Sequence, residues 1–251
     1  MAAILEVKDL CKTYITNKRQ NNVLRNVSFS VDEGEMVAVM GPSGSGKSTL
    51  LYTVSGMDGM TAGEVEFVGR DISRMKPREL ARVRLNEMGF IFQQMYMLKN
   101  LSVLDNILLP ARQSKAGRLS PKQKLERAKE LMRRLGIIEI ADNDINEVSG
   151  GQLQRACICR SMINCPKMIF ADEPTGALNR ASSDEVMKEL CAINADGTTV
   201  MLVTHDAKVA AKCSRVLYIV DGNIQGEFRQ SGSDARQRER ALNNWLLEMG
   251  F

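Results

Sequence analysis

Nine consecutive residues, Gly41, Pro42, Ser43, Gly44, Ser45, Gly46, Lys47, Ser48 and Thr49, constrain this chain more than any others. They satisfy the spacing G-x-x-x-x-G-K-[ST] in full, and their context is the one that gives the spacing its meaning. Before them stands MVAVM at 36–40, a short continuous apolar run of the kind found in a strand covered on both faces. After them, 47–56 predicts a helix. Glycines without Cβ let successive backbone N–H groups turn inward around a polyphosphate, and the N-terminus of the following helix adds partial positive charge. Lys47 can then reach β- and γ-phosphates, and the Ser48 hydroxyl is available to Mg2+. The loop therefore predicts nucleoside triphosphate binding within an α/β fold.

The rest of the chain fits that plan. Residues 4–10 and 27–31 alternate apolar and polar, as does 64–68 between Gly63 and Gly69, so the first third is rich in half-buried strands. From about Pro77 to Arg134, stretches at helical spacing dominate. In 121–135, Leu125, Ala128, Leu131, Met132 and Leu135 make one apolar face, with Ser120 and Pro121 as N-cap and first helical residue. Strand-like runs return at 168–171, 200–203 and 216–220, each joined to the next by a helical stretch, the pattern of a parallel sheet. The predicted fold is α/β: a P-loop core with a mostly parallel sheet, an N-terminal antiparallel β part and a helical subdomain inserted over about 93–165. Residues 229–251 read as a linker followed by an amphipathic helix. Its stripe of Leu242, Trp245, Leu246 and Met249 either docks on a partner, with Arg236, Arg238 and Arg240 toward lipid headgroups, or packs on its own domain.

The run MIFA at 168–171 ends in Asp172 and Glu173. An apolar strand closing on a carboxylate places Asp172 at the carboxyl edge of the sheet beside the phosphate loop, where it can hold Mg2+. Glu173 is then positioned to orient or deprotonate an attacking water.

Composition removes other classes. A balance of 34 Lys+Arg against 30 Asp+Glu, net +4, is too small and too scattered for a nucleic-acid stripe, so no nucleic-acid partner is predicted. Six cysteines (Cys11, Cys157, Cys159, Cys165, Cys191 and Cys213) lack C-x-x-C or metal-ligand spacing, and the chain has one histidine, so they read as reduced thiols rather than a zinc site. The N-terminus has no apolar signal core, and no run approaches the roughly 18 apolar residues that span a bilayer. The expectation is a cytosolic chain, held at any membrane by other subunits.

Val148, Ser149, Gly150, Gly151 and Gln152 open an apolar helical stretch ahead of the Asp172 strand. This VSGGQ resembles the LSGGQ signature of ATP-binding cassette (ABC) transporter ATPases, and the other motifs of that family match in order from residue 14 to residue 205. The resemblance implies an ABC ATPase domain over 1–228 that binds ATP and Mg2+. It implies that Tyr14 stacks on adenine, that Gln93 touches Mg2+ and water and joins the core to the helical insert, and that His205 contacts the γ-phosphate. It further implies a head-to-tail dimer of two copies, with Ser149, Gly150, Gly151 and Gln152 of one completing the phosphate site at Lys47 of the other. An integral membrane permease would hold the pair at the cytoplasmic face of the membrane.

One position departs from the pattern: Asn179 stands where many relatives carry Asp, which keeps open an ATP-gated clamp with weak turnover. The stretches 40–58, 90–103 and 171–179 most resemble a branch containing macrolide exporters, lipoprotein-release ATPases and bacitracin-type antimicrobial-peptide resistance transporters, leaning toward the last, from Gram-positive bacteria. A lipoprotein-release or cell-division ABC ATPase is the alternative. A soluble ABC ATPase acting on nucleic acid or ribosomes is a further one, although the long coiled-coil insert or second cassette usual there is missing.

Overall fold

Every residue of β3 (Met36–Met40), β7 (Met168–Asp172) and β8 (Thr199–Val203) is buried, which is why these runs are apolar nearly throughout instead of alternating. The computed structural model describes residues 3–16, 19–115, 119–231 and 234–250. Its other strands are β1 (Ala3–Thr16), β2 (Arg19–Asp32), β4 (Ala62–Phe67), β5 (Arg70–Asp71), β6 (Met88–Ile91), β9 (Arg215–Val220) and β10 (Asn223–Arg229). Its helices are α1 (Lys47–Val54), α2 (Pro77–Glu87), α3 (Val103–Gln113), α4 (Pro121–Arg134), α5 (Gly150–Met162), α6 (Arg180–Ala195), α7 (Ala207–Ala210) and α8 (Ala235–Glu248).

The central sheet runs β10-β9-β3-β8-β7-β6, parallel from β9 to β6, with β10 antiparallel on the edge. A smaller antiparallel sheet, β2-β1-β4-β5, lies beside it. Alternate side chains of each central strand go to opposite faces. Met36, Ala38, Met40, Ile169 and Ala171 join one apolar cluster with residues of α3 to α6. Val37, Val39, Met168 and Phe170 join the other, which also takes Leu50, Leu51 and Val54 of α1 and Leu5, Leu10, Val65 and Phe67 of the antiparallel sheet. The helix that follows the phosphate loop is thus wedged between two sheets.

Three features differ from the sequence reading. β1 and β2 run well past 4–10 and 27–31; residues 19–22 are all exposed, so that end of the hairpin carries no apolar alternation to read. β6 lies inside the 77–134 region that reads as helical, because a strand of four residues leaves too short a pattern. Only the single turn of α7 joins β8 to β9.

β6 and β7 are direct neighbours, paired from Met88↔Met168 to Ile91↔Ala171, so the segment carrying α3, α4 and α5 leaves and re-enters at one sheet edge. α4 opens on the expected Ser120 N-cap with Pro121 first, Gln123 completing a capping box, and buries Ala128, Leu131 and Met132. The α8 stripe packs on its own chain: Leu242 and Leu246 are buried, and Trp245 meets Phe228 at 5.4 Å and Tyr218 edge-on at 6.1 Å between ring centroids. Gly226 makes room, since a Cβ there would lie 2.9 Å from both Trp245 Cζ2 and Met249 Cε. Among the described residues no helix is long and apolar enough to cross a membrane.

Candidate nucleotide site

Parallel register brings the motifs together. Met36↔Val200 through Val39↔Val203 pairs β3 with β8, Asp172↔Val203 pairs β7 with β8, and Ile91↔Ala171 pairs β6 with β7. The phosphate loop, Gln93, Asp172, Glu173 and His205 therefore all leave their strands at the same carboxyl edge, where open α/β sheets bind ligands. Gly41 leaves β3 at φ +152°, and a Cβ on it would sit 2.0 Å from the Ile219 carbonyl oxygen, so no other residue fits. Gly46 is the left-handed N-cap of α1 at φ +101°.

Lys47 Nζ folds back over the loop, donating to the carbonyls of Gly41 (2.9 Å) and Pro42 (2.8 Å). Burial pulls its ammonium pKa below the ordinary value, against the opposing pull of the Glu173 and Asp172 carboxylates. Ser48 Oγ donates to Asp172 Oδ1 at 2.9 Å. A hydroxyl and a carboxylate oxygen at that spacing form a hard-oxygen pair of the type Mg2+ takes, and Ser45 Oγ, buried and without a hydrogen-bond partner among the described residues, gives a further polar atom in the cradle. The residues fit a metal–polyphosphate group. Pro42, Ser43 and Gly44 of the loop are exposed.

Glu173 adopts φ +46°, uncommon for a residue with a side chain, and is held there by its N–H to Val203 O (3.0 Å) and by the Gly176 N–H to its own carbonyl (3.0 Å). Its Oε1 lies 3.0 Å from His205 Nδ1, whereas Oε2 is buried without a hydrogen-bond partner among the described residues. A Cβ on Gly176 would lie 3.3 Å from both Gln93 Nε2 and Glu173 Cβ, so Gln93 and Glu173 share this corner. Glu173, His205, Gly176 and Lys208 border a cleft of about 380 Å³.

Tyr14 reaches the loop from the end of β1. Its hydroxyl donates to Asp58 Oδ2 at 2.5 Å, while Lys12 Nζ lies 4.5 Å from the ring centroid. The Ser149 corner is elsewhere. Ser149 is the N-cap of α5 in a capping box with Gln152, Ser149 and Gly150 are exposed, and Gly151 packs beneath Ser182 of α6. Among the described residues no hydrogen bond joins this corner to residues 41–49.

One residue at the site is absent from the sequence reading. Tyr52 donates to Asp172 Oδ2 at 2.5 Å. The readable signal was its place four residues after Ser48, on the same face of α1. All six cysteines are free, and no metal-binding cluster of His, Cys, Asp and Glu occurs among the described residues.

Comparison with known proteins agrees with this geometry. The family model described as ABC transporter matches residues 24–176. The chain is 42% identical over 236 residues to the bacitracin export ATP-binding protein BceA of Halalkalibacterium halodurans, spanning 94% of this chain and 92% of that protein. It is 40% identical to YknY of Bacillus subtilis, an uncharacterized ABC transporter ATP-binding protein, over 88% of this chain and 95% of the relative. It is also 40% identical to the macrolide export ATP-binding/permease protein MacB of Salmonella typhimurium, spanning 94% of this chain and 37% of that longer protein. Among solved structures, the dimeric post-hydrolysis state of the ATP-binding cassette MJ0796 bound to ADP and Pi matches with a TM-score of 0.85 at 36% identity, over 91% of this chain and all of that one. The chain belongs to the ABC transporter family, as one of its ATP-binding, ATP-hydrolysing subunits.

Proposed function

We propose that two copies of this chain close head to tail on two ATP molecules and drive a membrane permease that protects against, or exports, peptide antibiotics of the bacitracin type. The observation that carries the catalytic part is the pairing at one sheet edge of Ser48 with Asp172 and of Glu173 with His205.

Lys47 swings from the Gly41 and Pro42 carbonyls to the β- and γ-phosphates, exchanging two neutral acceptors for charged ones. Ser48, Asp172 and Gln93 hold the divalent cation. When bound, Mg2+ supplies charge neutralisation at the phosphate oxygens. Glu173 Oε2 accepts a hydrogen bond from the attacking water and takes its proton, while the contact of Oε1 with His205 keeps the carboxylate aimed. Tyr14 offers adenine its partly exposed ring, anchored through Asp58. Ser149 and the Gly150 and Gly151 N–H groups of the second copy add donors at the N-terminus of α5. The inserted block of about 93–165, entered through Gln93, carries closure to the permease at the cytoplasmic face of the membrane. The cargo assignment is supported by the identity with BceA over nearly the whole of both chains.

Glu173→Gln keeps the side-chain shape and removes the base. It should form a stable dimer with ATP by gel filtration while turnover falls about 100-fold or more. A variant that stays monomeric with ATP and hydrolyses it normally would overturn the assignment. Removing the protein from its host should lower tolerance of bacitracin and spare tolerance of macrolides; the opposite pattern would move the cargo to the MacB type.

A further inference from the structure

Asp172 is buried, and each of its carboxylate oxygens accepts a hydrogen bond from the same helix. Ser48 donates to Oδ1 at 2.9 Å, and Tyr52, one turn further along α1, donates to Oδ2 at 2.5 Å. The second is the shorter of the two, in the range of a hydroxyl donating to an ionised carboxylate. The two bonds are not equivalent in function. The Ser48 hydroxyl and Asp172 Oδ1 are the pair that turns toward a cation, so the carboxylate's remaining tie to α1 is Tyr52.

Tyr52 is itself well held. It is half-buried, and its ring centroid lies 6.3 Å from that of Phe92, which in turn contacts Phe90 at 6.1 Å and Tyr96 at 5.3 Å. Phe92 immediately precedes Gln93, so the Tyr52 ring lies between Asp172 and the segment that brings Gln93 to the site.

We infer that Tyr52 is a positioning residue for the cation site: its hydroxyl fixes the orientation of the Asp172 carboxylate, leaving Oδ1 beside Ser48, and thereby sets the affinity for the divalent ion. This rests on the reading of Asp172 as a cation holder given above. Outer partners that orient a ligating carboxylate typically change metal affinity 10- to 100-fold when removed.

The test is Mn2+ binding, followed by the loss of the free-ion electron paramagnetic resonance signal, to protein saturated with ADP. Tyr52→Phe keeps the ring and deletes the hydroxyl. It should weaken Mn2+ binding about 10-fold, while ADP affinity in EDTA, which depends on Lys47 and the loop, stays within about twofold. Unchanged Mn2+ affinity would overturn the inference. So would an equal fall in ADP affinity in EDTA, because Tyr52 would then be shaping the phosphate loop. Asp172→Asn, measured alongside, separates the two levels: if it too leaves Mn2+ affinity intact, the cation-holder reading of Asp172 is what fails. Should Tyr52→Phe not fold by circular dichroism, Tyr52→His (ring and N–H donor) and Tyr52→Leu (neither) carry the comparison. The His variant should hold Mn2+ several-fold more tightly than the Leu variant, and equal affinities would overturn the proposal.

Discussion

Leu242→Ala tests whether the C-terminal helix is part of the folded body. Leu242 is fully buried and Leu246 almost so, and both belong to the apolar cluster that includes Met36, Ala38 and Met40 of the central strand. Deleting a buried leucine side chain down to Ala costs about 2–5 kcal/mol, the lost transfer energy plus the cavity left behind. With Leu242 at 0% exposure and Trp245, on the same helix, held by ring contacts to Tyr218 and Phe228, collapse into the cavity is limited, and a value of about 3 kcal/mol is expected. Leu247, on the same helix but 70% exposed, is the internal control: Leu247→Ala should stay within about 0.5 kcal/mol. The chain has one tryptophan, and it lies in this helix, so Trp245 fluorescence reports the helix while far-ultraviolet circular dichroism reports the whole. Urea unfolding of the wild type should give coincident curves from the two probes, and Leu242→Ala should shift both together. A fluorescence transition well ahead of the dichroism transition, or a cost for Leu242→Ala under about 1 kcal/mol, would refute the packing argument.

The Arg215 guanidinium is 5% exposed and bonded bidentately to Glu35 at 2.7 and 2.8 Å, with Glu227 at 3.2 Å. Glu35→Gln leaves that buried cation short of its main counter-charge and should cost about 3–5 kcal/mol in chemical unfolding, against under about 1 kcal/mol for Glu64→Gln, whose partner Arg74 is exposed. Burial pushes the Asp58 pKa up, but hydrogen bonds from Lys12 and Tyr14 outweigh it and hold the carboxyl below its ordinary 3.8. A folded-state pKa below the unfolded one contributes stability that is present above 3.8 and is lost as pH falls through the folded value. Acid titration of the melting temperature should therefore show a shallower decline below pH 4 for Asp58→Asn than for the wild type, and parallel curves would count against the pairing.

Legibility followed burial. MVAVM and MIFAD are readable as strands because both faces of the central sheet are covered and every position must be apolar or end at the site. Asp172 and Glu173 could be assigned to the carboxyl edge because they close an apolar strand, and parallel strands deliver every such end to the same side; Gln93 and His205 came through the family resemblance, since β6 is not readable as a strand. What escaped was information held in contacts. The outer hairpin of β1 and β2 leaves even Tyr14 and Ile15 exposed, and β10 is an edge strand whose inward positions are only partly buried. The apolar stripe of α8 was plain, but only the space at Gly226 decides what it packs against. Tyr52 gives no motif at all; its importance appears once α1 is docked against β7 and its hydroxyl meets Asp172.

Asn179 shows how one substitution can preserve a fold role while changing an electrostatic one. Its Oδ1 accepts from the Ser182 N–H at 3.0 Å, capping α6. Ser182 in turn lies over Gly151, where a Cβ would come within 2.8 Å of its hydroxyl oxygen. The cap therefore holds the first turn of α6 against the start of α5, and with it the Ser149 corner. Asn and Asp cap helices about equally well, so this corner is built as firmly with either. The difference is charge: Asn179 is exposed and, in the head-to-tail dimer proposed above, would offer the second copy an amide donor and acceptor where Asp would offer a carboxylate. An Asn179→Asp variant should consequently leave the melting temperature almost untouched while altering the ATP concentration needed for dimer formation. Were the melting temperature to move and dimer formation not, the residue would act within its own subunit alone, and the clamp-like reading of this loop would lose its support.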